Sequence, residues 1–469
     1  MELRRIETPG IAHYAWLLAD GEQAMLVDPS RHVQKYLDTA RDIATRITHI
    51  VETHRQEDFV MGAAWLARRT GARIYNGNHD TFGHGDCRLE DGDTFYVGKL
   101  LVRAFHTPGH TPESMCYAVY KDDNAESAWA IFTGDTLFFG DTGRSDLPDE
   151  DKSVENAGRI YDAVHNKLAG LGDTALILPA HGPGSVCGSG MAKRSWSTLG
   201  DEKTYNDVFT LSRQEFAEKK GGERLPRPPY FRHMEKVNLE GGLPPTLRQG
   251  DVGLLNTDSF ADKSQNNYIY DTRLPEAFAG GHIPDSHSIW LGGLPVFGGW
   301  VGNADSAIYL VTDRNDNVDH AVRHLSNIGL DNVQGALAGG FESWRDAGRD
   351  VEHSGAITPA VLHNMDNAPQ VLDVREIDEF DSGHIPGALH CYVGYLADKL
   401  NELPLDKTRP VVVTCGVGHR AGLGVSILLK AGFQDVSNLL GGMKAWSALG
   451  LPCRMNKRQG RHRENPAGK

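Results

Sequence analysis

The sequence predicts an α/β protein: an αββα sandwich followed by two smaller α/β units with parallel sheets. Three observations support this fold class. In the first part of the chain, short apolar runs of strand length are interspersed with helical patterns. The last part contains an internal repeat in which apolar strands alternate with helices, as a parallel sheet requires. The chain has 469 residues, 40% of them hydrophobic and 23% charged, which is typical of globular proteins.

The strands and helices of the sandwich are predicted from apolar runs and from the turn residues that bound them. The turn pair Asp20-Gly21 predicts a hairpin between the first two strands. The predicted strands are Ile11–Leu18, Ala24–Val27, Ile47–Val51, Leu100–Phe105, Met115–Val119, Ala128–Thr133 and Ala175–Leu178. Helical patterns cover about 32–44, 58–69 and 153–169. Residues 182–247 combine turn-rich sequence with one helical pattern, and we interpret them as a lid and linker.

The internal repeat has a constant spacing of 102 residues, as from Asp271 to Asp373. The repeated groups are Asp271-Thr272-Arg273, Gly281-His282-Ile283-Pro284 and Trp344 in the first copy, and Asp373-Val374-Arg375, Gly383-His384-Ile385-Pro386 and Trp446 in the second. We therefore predict a first domain at 1–247, two α/β domains at 248–352 and 353–456, and a basic tail at 457–469 that is expected to be disordered.

Composition excludes some classes of function. The formal net charge is −14, which argues against a nucleic-acid surface. No apolar stretch of about 18 residues is present, so no membrane span is predicted. The six cysteines are scattered without a C-x-x-C pair, which favours free thiols in a reducing compartment. We expect a cytoplasmic protein that assembles as a homo-oligomer.

Several loops that follow predicted strands carry residues of metal-ligand type. They are His54 and Asp58, His110, Asp135 and His181. Two imidazoles and one carboxylate, from His54, His110 and Asp135, would leave open positions on a metal and favour mononuclear non-haem Fe(II). A binuclear zinc site would also need ligands at positions 56, 59 and 181, together with Asp58. Gln56 is a poor ligand and Phe59 cannot coordinate, so we expect no second metal.

Two ligand-type residues remain beside this set. We expect His181 either to bind the metal or only to hydrogen-bond near it, and Asp58 to support a ligand or cap a helix rather than bind the metal itself. We expect His106 to be structural.

The chain resembles the metallo-β-lactamase superfamily over about residues 1–240. The resemblance rests on the order of Asp28, His54-x-x-x-Asp58, Gly109-His110, Gly134-Asp135 and His181. Within it, the ligand set is similar to the persulfide dioxygenase branch, although that branch keeps the two histidines replaced here by Gln56 and Phe59. The resemblance implies one Fe(II) per chain, held by His54, His110 and Asp135. It implies that dioxygen oxidises a thiol persulfide, such as glutathione persulfide, to sulfite in sulfide detoxification. It also implies that Arg144, in Gly143-Arg144-Ser145-Asp146, binds the thiol carrier.

A second chemical motif lies in the second repeat. The apolar run Val411–Val413 leads to Cys415-Gly416-Val417-Gly418-His419-Arg420, and a helical run follows. Backbone N–H groups of such a loop, together with the helix N-terminus, would face the sulfur and stabilise a thiolate or persulfide anion. The alternative is a buried, inert cysteine, which we expect for the other five.

The motif resembles the rhodanese active loop, and the resemblance covers about 355–454. It implies that Cys415 carries sulfane sulfur, that Arg420 helps to bind an anionic acceptor such as sulfite, giving thiosulfate, and that Gly416 and Gly418 contact the substrate. In the first repeat Asp313 stands where Cys415 would be. We therefore expect residues 248–352 to be catalytically silent.

The leading hypothesis is a persulfide dioxygenase fused to a sulfurtransferase, acting on small molecules without nucleic-acid or membrane partners. Two alternatives stay open. A zinc hydrolase of the glyoxalase II type would bind two metals and cleave thioesters. A metal-free first domain would leave sulfur transfer as the only activity.

Overall fold

The computed structural model describes residues 1–188, 190–247 and 250–456. The predicted basic tail lies outside the described residues. The described part contains four β-sheets, which divide between two compact units. The first unit contains the two sheets of the N-terminal half and also includes Arg323–Asp331, and the second unit contains the other two sheets. Within the described residues, no helix is long and apolar enough to span a bilayer.

The first sheet consists of six strands that are neighbours in chain order. They are β1 Glu2–Thr8, β2 His13–Asp20, β3 Gln23–Val27, β4 Arg46–Val51, β5 Arg73–Gly77 and β6 Cys87–Leu89. The first three are antiparallel and the later pairs are parallel. Asp20 pairs with Gln23 across Gly21, which confirms the predicted hairpin.

The second sheet also has six strands and is mainly antiparallel, with one parallel pair between β10 and β11. Its strands are β7 Thr94–Val97, β8 Leu100–His106, β9 Met115–Tyr120, β10 Ala130–Gly134, β11 Leu176–Pro179 and β12 Ser197–Thr198. The edge strand β12 lies in the segment predicted as lid and linker, so part of that segment belongs to the sandwich.

The two sheets face each other across a shared core, to which Val27 and Val51 of the first sheet and Tyr117 and Phe132 of the second contribute. Helices cover the outer faces, which confirms the αββα sandwich. The helices of this half are α1 Gln34–Asp42, α2 Ala63–Thr70, α3 Ser153–Ala163, α4 Leu199–Tyr205, α5 Asp207–Thr210, α6 Arg213–Gly221 and α7 Phe231–Asn238. The last turns of the helix predicted at 153–169 are a π-helix, Val164–Leu168.

The helix predicted at 58–69 begins only at Ala63. The side chain of Asn238 donates to the carbonyls of Gln56 and Phe59 and accepts from the backbone N–H of Met61. Because these backbone groups are engaged by Asn238, residues 56–61 form a loop instead of extending the helix.

In the second unit, each repeat forms a five-stranded sheet in which all pairs are parallel, as predicted. The strands are β13 Leu254–Leu255, β14 Tyr268–Asp271, β15 His287–Ser288, β16 Ile308–Val311 and β17 Val333–Leu337, then β18 Gly355–Ile357, β19 Gln370–Asp373, β20 Leu389–His390, β21 Val411–Thr414 and β22 Val436–Leu439. The orders are β13-β17-β16-β14-β15 and β18-β22-β21-β19-β20. The two sheets therefore share one topology.

The helices of the repeats follow the same periodicity. They are α8 Thr257–Ser264, α9 Pro275–Gly280, α10 Leu294–Val301, α11 Asn317–Asn327 and α12 Gly340–Asp346, then α13 Pro359–His363, α14 Ile377–Ser382, α15 Leu396–Lys399, α16 His419–Lys430 and α17 Gly442–Ala448. The starts of α9 and α14, of α11 and α16, and of α12 and α17 are each 102 residues apart, as the sequence spacing predicts.

A buried frame of polar and aromatic contacts is common to both repeats. Arg273 Nε donates to Asp271 Oδ1 at 2.9 Å, and Arg375 Nε donates to Asp373 Oδ1 at the same distance. In each copy the guanidinium also donates to a glycine carbonyl eight residues later in the chain. The histidine of each G-H-I-P group stacks on a phenylalanine: His282 on Phe278 and His384 on Phe380. The repeated motifs therefore build the scaffold of each unit.

Candidate metal centre and thiol loop

His54, His110 and Asp135 come together on loops that follow β4, β8 and β10. His54 Nε2 lies 3.8 Å from Asp135 Oδ2, and His110 Nε2 lies 3.4 Å from the same oxygen. All three side chains are buried. The structure therefore places the three predicted ligands in one buried cluster.

The ring of His54 is oriented by a chain of hydrogen bonds. Thr53 Oγ1 donates to Asp28 Oδ2 at 2.7 Å, so the hydroxyl oxygen accepts from His54 Nδ1 at 2.9 Å. This fixes the tautomer with an unprotonated Nε2. Burial lowers the pKa of His54 to about 3, so the imidazole is neutral. Gly134 makes the approach possible, because a Cβ there would lie 2.5 Å from Thr53 Oγ1 and its φ is +51°.

A hydrogen bond also fixes the tautomer of His110. Its Nδ1 lies 2.8 Å from the backbone carbonyl oxygen of Arg144, which can only accept. The Nδ1 nitrogen therefore carries the proton and Nε2 presents a lone pair. Burial lowers the pKa of His110, which keeps this ring neutral as well.

The three atoms that face one another fit a metal ion. Within the described residues, His54 Nε2, His110 Nε2 and Asp135 Oδ2 have no hydrogen-bond partner although all are buried. Each such buried polar atom costs about 1–3 kcal/mol when unpaired. Burial alone would raise the pKa of Asp135, but the neighbouring His181 and His54 lower it well below its usual range. A divalent cation about 2.0–2.2 Å from each atom would satisfy all three.

Glu57 is a further member of this cluster that the sequence analysis missed. Its Oε2 atom lies 3.7 Å from His110 Nε2 and has no hydrogen-bond partner among the described residues. Its Oε1 accepts from Arg55 Nη2 at 3.2 Å. One ligand atom from each of His54, Glu57 and His110 lies within 4.8 Å of the others. The signal was its place inside the T-H-x-x-x-D motif, between Gln56 and Asp58.

The two residues that replace ligand histidines occupy different surroundings. Gln56 Nε2 lies 3.5 Å from His54 Nδ1, and its Oε1 is buried without a partner among the described residues. The ring of Phe59 packs against His13, with 4.1 Å between ring centroids. Phe59 therefore fills its position with apolar contacts.

His181 and Asp58 lie beside the cluster. His181 Nδ1 is 2.8 Å from Asp135 Oδ1, and His181 Nε2 is 3.1 Å from Asp58 Oδ2. The predicted hydrogen bond of His181 next to the ligand set is therefore present. The alternative that Asp58 caps a helix is wrong, because α2 begins at Ala63 with Gly62 as its N-cap residue and no side-chain cap. His106, in contrast, hydrogen-bonds to the carbonyl of Pro112.

Arg144 was predicted to bind the thiol carrier, but its guanidinium is committed to internal contacts. It is 1% exposed and forms two 2.7 Å hydrogen bonds with Asp146. It also donates to the carbonyls of Val186, Leu225 and Pro226. In this arrangement the guanidinium is not available to a ligand. Its internal contacts instead hold the backbone of Arg144, whose own carbonyl oxygen accepts the hydrogen bond from His110 Nδ1.

The Cys415 loop has the predicted form. The backbone N–H of Gly418 donates to Cys415 Sγ at 3.1 Å, and α16 begins at the next residue. Gly418 has φ +110°, a conformation that side chains rarely allow, which explains glycine at this position. Cys415 is buried at the base of the loop, while Val417 at its tip is exposed. A persulfide on Cys415 would therefore meet backbone N–H groups.

Arg420 lies over this loop but is paired. It donates through Nη1 and Nη2 to the two carboxylate oxygens of Glu379, at 2.6 and 2.8 Å. A Cβ on Gly416 would lie 3.4 Å from Arg420 Nη2, so the guanidinium borders the loop. An anionic acceptor would have to compete with Glu379 for this side chain. No motif around Arg420 predicted that partner.

The corresponding loop of the first repeat carries no thiol. Asp313 follows β16, and Arg314 forms an ion pair with Asp316 two residues later. Val318, where the second repeat has Arg420, is buried. This loop therefore cannot carry a persulfide on a cysteine.

Replacing Thr53 by valine is expected to weaken metal binding about 10- to 100-fold, the usual effect of removing a partner that orients a ligand histidine. Titration of the metal-free protein with Fe(II) under anaerobic conditions measures this. Thr48→Val is the matched control, since Thr48 Oγ1 contacts His49 Nδ1 at 2.8 Å in the same local geometry outside the cluster. Equal affinities for the two variants would show that Thr53 does not position His54.

Comparison with known proteins assigns each part of the chain. The profile of the metallo-beta-lactamase superfamily matches residues 8–181, and that of the rhodanese-like domain matches residues 256–347 and 358–449. The mitochondrial persulfide dioxygenase of Bos taurus is 28% identical over 255 residues, which cover 51% of this chain and 89% of that protein. A hydroxyacylglutathione hydrolase of Polaromonas sp. is 29% identical over 231 residues, covering 43% and 82%.

One solved structure matches a larger share of this chain than these two relatives do. The crystal structure of a metallo-beta-lactamase from Staphylococcus aureus shares 28% identity, covers 72% of this chain and 98% of its own, and superposes with a TM-score of 0.64. This chain therefore joins a domain of the metallo-β-lactamase superfamily to two tandem rhodanese-like domains.

Proposed function

We propose that the chain is a persulfide dioxygenase fused to a sulfurtransferase. The main support is the buried cluster of His54 Nε2, His110 Nε2 and Asp135 Oδ2. These three potential metal-ligand atoms have no hydrogen-bond partners in the described part of the chain. The similarity to a mitochondrial persulfide dioxygenase supports the choice of reaction. The Cys415 loop in the same chain supports the second activity.

One Fe(II) held by His54, His110 and Asp135 would supply the redox chemistry that joins dioxygen to sulfur. Thr53 and the Arg144 carbonyl hold the two imidazoles with Nε2 unprotonated. The surrounding apolar and polar side chains are buried, which limits competing water. In the net reaction, a thiol persulfide, dioxygen and water give the thiol, sulfite and two protons.

The second activity transfers sulfur through Cys415. The Cys415 thiolate would attack the terminal sulfur of a persulfide, forming a Cys415 persulfide while the donor leaves as its thiolate. Sulfite would then attack the outer sulfur of that persulfide, which forms thiosulfate and restores the Cys415 thiolate. The Gly418 N–H would stabilise the anionic sulfur in both steps.

We propose glutathione persulfide as the substrate and sulfide detoxification as the role. We also propose a reducing, cytoplasmic setting, supported by the absence of disulfides among the six cysteines, all of which lie in the described part of the chain. Homo-oligomeric assembly and the domain boundaries at 247 and 352 remain predictions.

Oxygen uptake by the iron-loaded protein with glutathione persulfide tests the proposal. We expect about one iron per chain and uptake that forms sulfite. The similarity to a hydroxyacylglutathione hydrolase favours a second candidate, a zinc thioesterase. Cleavage of a glutathione thioester without oxygen uptake would establish that candidate instead. Thiosulfate sulfurtransferase activity with neither metal binding nor oxygen uptake would leave the first domain as a scaffold.

A further inference from the structure

Glu57 has no role in the proposed function, although its side chain lies beside the proposed iron site. Its Oε2 atom is 3.7 Å from His110 Nε2, and the same nitrogen is 3.4 Å from Asp135 Oδ2. One ligand atom of Glu57 also lies within 4.8 Å of the ligand atoms of both His54 and His110. The side chain of Glu57 is fully buried. A second carboxylate oxygen therefore lies near the two imidazole nitrogens that are proposed to bind iron.

The loop that carries Glu57 is held on both sides of this residue. Asn238 Nδ2 donates to the backbone carbonyls of Gln56 at 2.7 Å and of Phe59 at 2.8 Å. Because the flanking backbone is fixed, the position of the Glu57 side chain is fixed with it. The neighbouring Gln56 lies elsewhere: its Nε2 is 3.5 Å from His54 Nδ1, the ring nitrogen that does not face the metal position. Of these two adjacent residues, Glu57 is thus the one next to the metal-facing nitrogens.

The charge of Glu57 is only partly compensated by its protein neighbours. Its Oε1 accepts from Arg55 Nη2 at 3.2 Å, but its Oε2 has no hydrogen-bond partner within the described residues. The charge of Arg55 also acts on Glu113 and Glu235, so one guanidinium serves three carboxylates. Burying a carboxylate is costly unless a cation or hydrogen bonds compensate for the lost hydration. A metal ion bound to Glu57 Oε2 would supply the missing compensation.

We propose that Glu57 is a fourth protein ligand of the iron and binds it through Oε2. The complete set would then be two imidazoles and two carboxylates, which suits hard divalent ions such as Fe(II) and Mn(II). A six-coordinate ion held by four protein ligands keeps about two open positions, enough for dioxygen and one persulfide sulfur. The inference rests on the metal site of the proposed function, and it goes beyond the three ligands that the family resemblance implies.

Counting the water ligands of bound Mn(II) tests the proposal without measuring activity. The full-length protein is stripped of metal and loaded with Mn(II) in water enriched in the magnetic isotope of oxygen, which broadens the electron paramagnetic resonance lines with each bound water. We expect about two bound waters in the parent and about three in Glu57→Asp. Aspartate keeps the charge but withdraws the carboxylate by one methylene group. Fe(II) affinity should also fall more than about 10-fold in this variant.

Glu113→Asp is the matched control, since Glu113 is also buried and also faces Arg55 but does not belong to the ligand cluster. It should keep the water count and the Fe(II) affinity of the parent. Unchanged values in Glu57→Asp would overturn the proposal and leave Glu57 as a partner of Arg55 alone.

A crystal structure of the iron-loaded parent decides the matter even when a variant fails to fold. Glu57 Oε2 at about 2.0–2.2 Å from the metal supports the proposal, and a water molecule between this oxygen and the metal refutes it. A parent that binds no metal would contradict the iron site as well, whereas a parent that binds metal with about three waters would contradict only the role of Glu57.

Discussion

His110→Ala is expected to abolish oxygen uptake while leaving sulfur transfer intact. The substitution removes one of the three donors of the proposed iron site and leaves an apolar gap beside Asp135. Loss of a partner that only orients a ligand costs about 10- to 100-fold in metal affinity, so loss of the ligand itself should cost more. Iron content, persulfide-dependent oxygen uptake and thiosulfate formation by the same preparation measure the three effects.

The matched control is His106→Ala, a change of the same residue type four positions earlier. His106 bonds to the Pro112 carbonyl and contributes no atom to the cluster. It should retain iron and oxygen uptake. If His110→Ala kept full iron content and uptake, the assignment of the cluster as the iron site would be wrong.

Cys415→Ser should have the opposite profile. Serine keeps the shape of the loop, but its hydroxyl is not a competent sulfur carrier. We expect sulfurtransferase activity to fall on the order of a thousandfold or more, as for loss of other catalytic nucleophiles. Oxygen uptake should be unchanged because His54, His110 and Asp135 belong to the other compact unit.

Cys391→Ser is the control for this change. Cys391 is also buried in the second repeat, but it lies after β20 and its Sγ contacts the carbonyl of Tyr392. It should retain sulfur transfer. Equal losses in the two variants would point to general destabilisation, and unchanged transfer in Cys415→Ser would disprove the rhodanese-type role of the loop.

The fold was largely predictable because its signals are local or periodic. The predicted strands Leu100–Phe105 and Met115–Val119 match β8 and β9 to within one residue at each end. The short strands β5 to β7 were not predicted, since their pairing depends on distant neighbours more than on their own apolar content. The late start of α2 depends on Asn238, which is remote in sequence and could not be anticipated.

The site was predictable only as far as its motifs extended. His54, His110 and Asp135 lie where the spacing predicted, at strand ends. Cys187 lies close to Asp58 and His181 only through the tertiary fold, which no local pattern encodes. The roles of Arg144 and Arg420 were predicted from the family resemblance of their motifs, and their partners Asp146 and Glu379 became apparent only in the structure.

The buried frame shared by the two repeats has an evolutionary consequence. The frame, built from the Asp–Arg pair and the stacked histidine, includes neither Cys415 nor Arg420. A gene duplication that copied the frame could therefore preserve a foldable unit even when its reactive loop was lost. The first repeat has Asp313 in place of the thiol and still forms the same sheet. In this architecture, inheritance of the scaffold and inheritance of the chemistry are separable, and a copy without the thiol is free to acquire a different role.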